Sequence, residues 1–567
     1  MDTMNQTGRG PAVPVGAPTA LNRPSARTLG ELVRELARSY PLGTAVTHTT
    51  GSLDFAELDE QADAVAAGLI AVGVGRGDVV AILAPNQPEW LVIAVGAGRI
   101  GAVIAPLNTW YKDDEIRYAL EHSGAAILFS VDHVRNQDIH ELVGRVFPAI
   151  HSEKIPLLRD SVLPELKAIV EFGPRRHRGA QSWDEFLSRG AQSRAEVPVA
   201  EQEVNPTDDL LIVYTSGSTA RPKGVLLQHG HCIENAYSIG ARQGLMPSDR
   251  TWMVQPLFWA LASVNMLLSA WTHGSSVVLQ TVFDAGEALE IIERYQVTRA
   301  YAIGNISQAL VMHPNFADAD LNSLTKGVSL FSPADRRMAY HDLGMTHFVS
   351  LYGSTENHGA CFSAHWRDPL DARMADNGTL LDGWESKLVI PGTDEPVAAN
   401  VDTGELIVRG HLSSGYFKDP GQTALAYDGE GYFHTGDLVR IDKQGRLEFI
   451  SRFTDIIKTG GINVAPAEVE EILSRHPDLR QAYVLGMPDP VKGEVVVAVV
   501  EARGAVDEAS VRSWVAERAA SYKIPSYVLF ITDERIPRLP NGKVAKKQLR
   551  NLVSHELSEW LDTVPDI

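Results

Sequence analysis

The chain has 567 residues, 44% of them hydrophobic, and a formal net charge of −20 at neutral pH. That length exceeds what one hydrophobic core supports, so at least two domains are expected, and the acidic balance disfavours nucleic acid and anionic membranes as partners. Two cysteines, Cys232 and Cys361, are too few for a disulfide framework, and no basic-then-apolar leader opens the chain, which reads as a cytoplasmic protein.

Residues 1–28, rich in Gly, Pro, Ala and Thr, read as a mostly disordered leader that can bury little. From Leu29 onward helical and strand patterns alternate. FAELDEQADAVAAGLIAVG has helical spacing and DVVAILA after it is strand-like, the pattern of parallel or mixed sheets with crossover helices. The expected fold class is α/β: a large N-terminal domain of mixed sheets with crossover helices, residues 29–450, and a small mobile C-terminal α+β domain. The longest apolar stretch, Trp90 to Pro106, is interrupted by Gly96, Gly98, Arg99 and Gly101 and falls short of the ~20 apolar residues of a membrane span. Those glycines match a dinucleotide-binding fingerprint, with WLVIAV ahead of them as a possible strand. The context fails, because IGAVIAP reads as a strand where the fingerprint must open a helix.

Between Tyr214 and Val225 the chain reads YTSGSTARPKGV, between the apolar runs LLIVY and GVLL. A turn that follows the oxygens of a triphosphate needs small residues, so that backbone N–H groups can point inward. Gly217 and Gly224 supply that freedom, Thr215, Ser216, Ser218 and Thr219 add short hydroxyls, and Lys223 adds a point charge. The spacing is not that of a Walker A loop. In LYGSTE, Tyr352 ends a β-branched stretch, and Thr355 and Glu356 project beyond Gly353. An aromatic face there can stack on a purine, a hydroxyl can hold a phosphate oxygen, and a carboxylate can hold magnesium.

Further along, GYFHTGDLVRIDKQGRLEF places Asp437 after a Thr-Gly turn, where a carboxylate can accept ribose hydroxyls, ahead of a hairpin at Lys443 to Gly445. Arg452 follows, then a stretch without apolar periodicity at 451–455 that marks a hinge. Beyond it 456–567 carry a compact β/α pattern of their own. Gly460 and Gly461 permit close backbone approach, Pro466 starts a helix, and Lys543 stands on a Pro-Asn-Gly turn as a mobile cation.

With these five motifs in order, the chain resembles the adenylate-forming superfamily of acyl-CoA synthetases, adenylation domains and firefly-type luciferases, from about Leu29 to Leu552. The resemblance implies an ATP-dependent acid:CoA ligase. A carboxylic acid attacks the α-phosphate of ATP with Mg²⁺ bound, giving an acyl-adenylate and pyrophosphate, and coenzyme A then displaces AMP. It also implies roles. Thr215, Ser216, Gly217, Ser218, Thr219 and Lys223 would hold the β- and γ-phosphates, Tyr352 the adenine, Thr355 the α-phosphate, Glu356 the magnesium ion, and Asp437 with Arg452 the ribose. Lys543 would bridge carboxylate and α-phosphate, and Gly460 and Gly461 would line the pantetheine tunnel after a domain rotation.

Several positions depart from the pattern. Ala220 stands where a second glycine is usual, Thr454 where the hinge is commonly Asp or Lys, and Leu330 and Phe331 where two glycines normally border the adenine and acyl pocket. Trp259 replaces a frequent histidine in PLFWALASVN, and Phe258, Trp259, Val264 and Phe331 are expected near the acyl group. His229, His231, Cys232, His358, Cys361 and His365 lack the spacing of paired metal-binding knuckles. Competing readings are an enzyme that loads a carrier protein, a luciferase-like oxygenase, and a turnover-deficient nucleotide-binding relative. No motif names the acid or the oligomeric state.

Overall fold

The computed structural model describes residues 22–151, 163–215, 222–302, 304–329, 333–452, 455, 457–459, 462–464, 466–489, 492–519, 521–539 and 544–563. The chain divides into two compact units: Met1–Leu330, Arg337–Glu385 and Arg409–Phe433 form the first, and Phe331–Arg336, Ser386–Val408 and His434–Ile567 the second.

Within the first unit, helix Leu29–Ser39 begins at a capping box in which Thr28 and Glu31 satisfy each other's backbone N–H groups, and it buries Leu29, Leu32, Val33 and Leu36. The chain is tied down before that cap. The backbone N–H groups of Ser25 and Ala26 donate to the Glu35 carboxylate at 3.0 and 2.9 Å, and Ala26 and Thr28 are buried. The last part of the expected leader therefore has partners that its composition does not announce. Residues 1–21 lie outside the described residues.

Two large sheets follow. One has seven strands in the order 347–349, 326–329, 299–302, 250–253, 276–279, 44–48 and 51–54, all neighbours parallel except the last pair. The other has eight, in the order 415–416, 223–228, 209–215, 103–106, 79–83, 125–131, 168–172 and 181–182, antiparallel at its first two pairings and parallel beyond them. Strands such as Val79–Leu83 are buried at every residue, as expected where helices cover both faces of a parallel sheet. This is the mixed-sheet α/β arrangement with crossover helices. Trp90 to Val95, which alone could pass for a strand, lies in helix Pro88–Arg99, started by a proline in its first turn. Gly96 in that helix permits close packing, since a Cβ there would stand 2.8 Å from Val65 Cγ1 on helix Phe55–Ala71. Close helix packing accounts for this glycine without any nucleotide.

The second unit holds a four-stranded sheet, in the order 385–389, 403–409, 433–441 and 447–452 with its last two strands antiparallel, and a further sheet of strands 462–464, 457–459, 493–502, 479–489 and 527–530. Apolar clusters cover both faces of the latter, one around Val464, Leu473, Val496, Val500 and Val511, the other around Val497, Val499, Leu549 and Val553. The compact units therefore part earlier in the chain than residue 451. The reason is packing, because helix Pro466–Ser474 contacts strand Leu447–Arg452 and draws that sheet into the second unit. Among the described residues no helix is long and apolar enough to cross a membrane.

Candidate active site

The hydroxyl-rich segment connects two strands of one sheet. Strands Asp209–Thr215 and Lys223–Gln228 pair antiparallel with Thr215 directly opposite Lys223, so both ends of the connection are set by a ladder. Residues 216–221, including Ser216, Gly217, Ser218, Thr219 and Ala220, lie outside the described residues. Lys223 is half-buried and its Nζ donates to the Gln422 side-chain oxygen at 2.6 Å, with the Tyr416 ring centroid 5.2 Å away. Both neighbours are neutral. Among the described residues no carboxylate lies within ion-pair distance of Lys223, so its charge is left to attract an anion.

Tyr416 lies on strand Gly415–Tyr416, paired with Val225 next to that lysine, and its hydroxyl donates to Glu356 Oε1 at 2.9 Å. Lys223, Tyr416 and Glu356 thus form one cluster from three chain segments. No partner for Glu356 Oε2 is found among the described residues, which leaves a hard oxygen for a cation such as Mg²⁺. Tyr416 and Gln422 were not apparent from the motifs, because each acquires its place only through pairing and through the turn of helix Pro420–Ala426.

Beneath Glu356 the chain is held rigidly. HFVSLY is not one strand: His347–Val349 belongs to the large parallel sheet and Leu351–Tyr352 to a small antiparallel one with Phe362–Ser363, the switch falling at buried Ser350. Thr355 and Glu356 sit in the single turn 355–357 that follows, both half-buried, and buried Tyr352 packs edge-on against Phe362 at 6.5 Å. His358 closes the turn at φ 53°, a left-handed conformation rare for a residue with a Cβ. Its Nδ1–H donates to the His411 carbonyl at 2.9 Å and its Nε2 accepts the Gln228 N–H at 3.2 Å. Burial, helped by nearby His231, pushes this imidazole down to about 3, so it is neutral at physiological pH. Asn235 donates to the carbonyls of Asn357, His358 and Ala360, and the Ser413 N–H donates to the Glu356 carbonyl at 2.8 Å. His358 is therefore a strut between segments.

The acyl-side candidates form an aromatic group. Phe258 is buried and Trp259 half-buried, their ring centroids 5.3 Å apart, and Trp110 stands edge-on to both at 5.2 and 5.3 Å. Asn86 anchors the approach to them, donating to the carbonyls of Met253 and Gln255 and accepting the Leu257 N–H. Val264 is fully buried in the π-helical stretch Leu261–Leu268. A π-helix misaligns backbone groups. Here Arg299, 0% exposed, donates to the carbonyls of Asn265 and Met266, to the Thr251 and Ser269 hydroxyls and to the Gln243 side chain. Trp110 and Arg299 carry no sequence signal, since an aromatic after a strand and an arginine within one are ordinary. Phe331 and Leu330 lie outside the described residues.

In the second unit Asp437 and Arg452 stand directly opposite on adjacent antiparallel strands, with Arg452 Nε 3.0 Å from Asp437 Oδ1. Asp437 is buried and Arg452 exposed, and the Asp437 N–H donates to the Thr435 hydroxyl at 3.1 Å. The expected hairpin joins their two strands, turning at Gly445 with φ 76°. Lys543, Gly460, Gly461 and Thr454 lie outside the described residues.

Comparison with known proteins adds the following. The AMP-binding enzyme family matches residues 33–417, and the AMP-binding enzyme C-terminal domain matches residues 468–543. A propanoyl:CoA ligase of Mycobacterium tuberculosis, whose acyl group carries a methyl-dioxo-octahydro-indenyl ring system, is 32% identical over 93% of this chain and 99% of its own length. Acyl-CoA ligase sidI of Aspergillus fumigatus is 30% identical over 94% of this chain and 92% of its own. The crystal structure of ATP-bound MatB from Rhodopseudomonas palustris superposes with a TM-score of 0.76 at 26% identity, covering 93% of this chain and 99% of that one.

Proposed function

The chain belongs to the AMP-binding enzyme family and is an AMP-forming acid–thiol ligase, and we propose that it performs both steps of acyl-CoA synthesis around Lys223, Glu356 and Tyr416. In the first step a carboxylate oxygen of the acid attacks the α-phosphorus of ATP, the bond to the bridging oxygen breaks, and pyrophosphate leaves. In the second the thiol of coenzyme A attacks the acyl carbonyl, its proton goes to solvent, and AMP departs with the bond pair.

Two anions must meet in the first step, so the barrier is set by how well charge at the α-phosphorus is neutralised. The observation that carries the reading is a lysine with the neutral partners Gln422 and Tyr416, linked to Glu356 through the Tyr416 hydroxyl. Lys223 with the hydroxyls of Thr215, Ser216, Ser218 and Thr219 and the backbone of Gly217 receives the β- and γ-phosphates. Glu356 Oε2 would hold Mg²⁺, which when bound supplies positive charge to the phosphate oxygens. Thr355 donates to the α-phosphate, Tyr352 stacks on adenine, and Asp437 accepts from the ribose hydroxyls with Arg452 holding its carboxylate in place. Lys543 bridges the acid and the α-phosphate in the first step, and the backbone of Gly460 and Gly461 lines the pantetheine path in the second.

Phe258, Trp259 and Trp110 present ring faces and edges with few hydrogen-bonding groups, which suits an acid with an apolar or ring-bearing body. A relative named for a fused-ring propanoyl group and another named a medium-chain acyl-CoA ligase agree with that choice. The test is steady-state AMP release over a panel of aliphatic, aromatic and polycyclic acids. Release should require both an acid and free coenzyme A. Release that proceeds as fast with a carrier protein in place of coenzyme A, or with no acid, contradicts the assignment.

A further inference from the structure

Away from the nucleotide cluster, two imidazoles and a carboxylate converge inside the first unit. His140 lies on helix Ile139–Val146, Glu171 on strand Ala168–Phe172, and His177 on the connection after that strand. Glu171 and His177 are each 4% exposed. His177 Nδ1 stands 2.6 Å from Glu171 Oε1 and its backbone N–H donates to Glu171 Oε2 at 2.6 Å, while His140 Nδ1 is 3.6 Å from the same Oε1. The two rings stack with centroids 3.7 Å apart and planes inclined by 13°. One ligand atom from each of the three residues falls within 4.8 Å of the others.

A plain histidine–glutamate hydrogen bond explains His177 but not the rest of the arrangement. His140 Nδ1 and His177 Nε2 are buried and have no hydrogen-bond partner among the described residues. A second imidazole laid flat on the first, its nitrogen aimed at the same carboxylate oxygen and beyond hydrogen-bond reach, gains no hydrogen bond there. The sequence also makes room for the group. Gly144 sits one turn after His140 inside a helix, where glycine is unfavourable, and a Cβ there would stand 2.8 Å from His177 Nε2 and 2.9 Å from His151 Nε2. The His151 ring stands edge-on to His177 with centroids 4.9 Å apart, on the Nε2 side.

We propose that His140, Glu171 and His177 form a binding site for a divalent transition metal of zinc type, which clips the helix to the strand and its following loop. Two imidazole nitrogens and one carboxylate oxygen are a borderline donor set that favours Zn²⁺ or Co²⁺ over Mg²⁺ or Ca²⁺. Ligand atoms around a tetrahedral zinc, with bonds of about 2.0–2.2 Å, stand about 3.3 Å apart. The observed 2.6 and 3.6 Å separations bracket that spacing. On binding, His177 presents Nδ1 to the ion and carries its proton on Nε2, and His140 presents Nδ1. The fourth position falls to water.

The full chain, treated with chelator and dialysed, would be titrated with Co²⁺ in the absence of nucleotide, following the visible d–d bands, with thermal unfolding recorded with and without Zn²⁺. The proposal expects a band that saturates at about one equivalent, is erased by Zn²⁺, and is weakened at least about ten-fold in affinity by Glu171→Gln and by His177→Gln. Zn²⁺ should raise the unfolding temperature of the unaltered chain and not that of a His140→Gln/His177→Gln double variant. A chain that shows no d–d band, or a band that persists unchanged in the double variant, overturns the site. Because the first of those outcomes is read on the unaltered chain, poor folding of a variant does not shield the proposal.

Discussion

Glu356 and its supports are held by hydrogen bonds with named partners: Tyr416 donates to its carboxylate, Ser413 to its carbonyl, Gln228 to His358 Nε2 and Asn235 to the carbonyls that follow, while His358 donates to the His411 carbonyl. The acyl-side candidates Phe258, Trp259 and Trp110 instead meet ring to edge. The polar side has one acceptable geometry, since a misplaced donor leaves a buried acceptor bare. The aromatic side constrains volume and shape, which a change of one ring can alter without unseating the rest. On the proposed assignment, a fixed phosphate-handling half and an adjustable acid-handling half would let one reaction serve different acids.

The sharpest way to break the polar half is Glu356→Gln. Pyrophosphate exchange should fall by about 10²–10³-fold and its dependence on Mg²⁺ concentration should shift upward, as for loss of one preorganised electrostatic group. Retained exchange with unchanged Mg²⁺ dependence would remove Glu356 from metal binding. Next in size is Arg299→Met, which strips the Asn265 and Met266 carbonyls of their buried donors and should destabilise the chain by roughly 3 kcal/mol in denaturant unfolding. Because these carbonyls shape the stretch holding Val264, the KM for the acid should rise while that for ATP stays put.

On the aromatic side, Trp259→Ala should change the ranking of acids by about ten-fold in kcat/KM, favouring bulkier ones, and leave the KM for ATP unaltered. An equal loss for every acid would mean that Trp259 is plain core. A further test sets stability against pH. Buried His229 and His358 and half-buried His273 are neutral, held at about 4, 3 and 4 by desolvation against an ordinary 6.5. The unfolded chain takes up protons on them below pH 6.5 while the folded chain does not. Stability should therefore be level above that pH and fall beneath it, by up to roughly 1.4 kcal/mol per pH unit for each histidine. Unfolding temperature against pH measures this, and His358→Gln should make the fall shallower.

What could be read from the sequence follows the same division. Thr215, Lys223, Tyr352, Thr355 and Glu356 stand out as candidates because phosphate and metal chemistry demand particular residue types beside strand ends, and the paired ladder sets Thr215 opposite Lys223. Tyr416, Gln422 and His358 were not, since their roles arise from pairing between segments far apart in the chain. Trp90 to Val95 illustrates a limit of pattern reading, because a short apolar run buried on all sides looks alike as helix and strand. The grouping of the four-stranded sheet is equally hard to read from sequence, since it depends on which core the sheet meets.

The central claim is that a lysine is needed to join two anions and is not needed afterwards. Lys543→Ala, assayed separately for acid-dependent pyrophosphate exchange and for thioester formation from supplied acyl-adenylate, tests it most directly. The account expects exchange to fall by at least about 10²-fold while thioester formation stays within a few-fold of the unaltered enzyme. Equal loss of both activities, or exchange that survives intact, would contradict it.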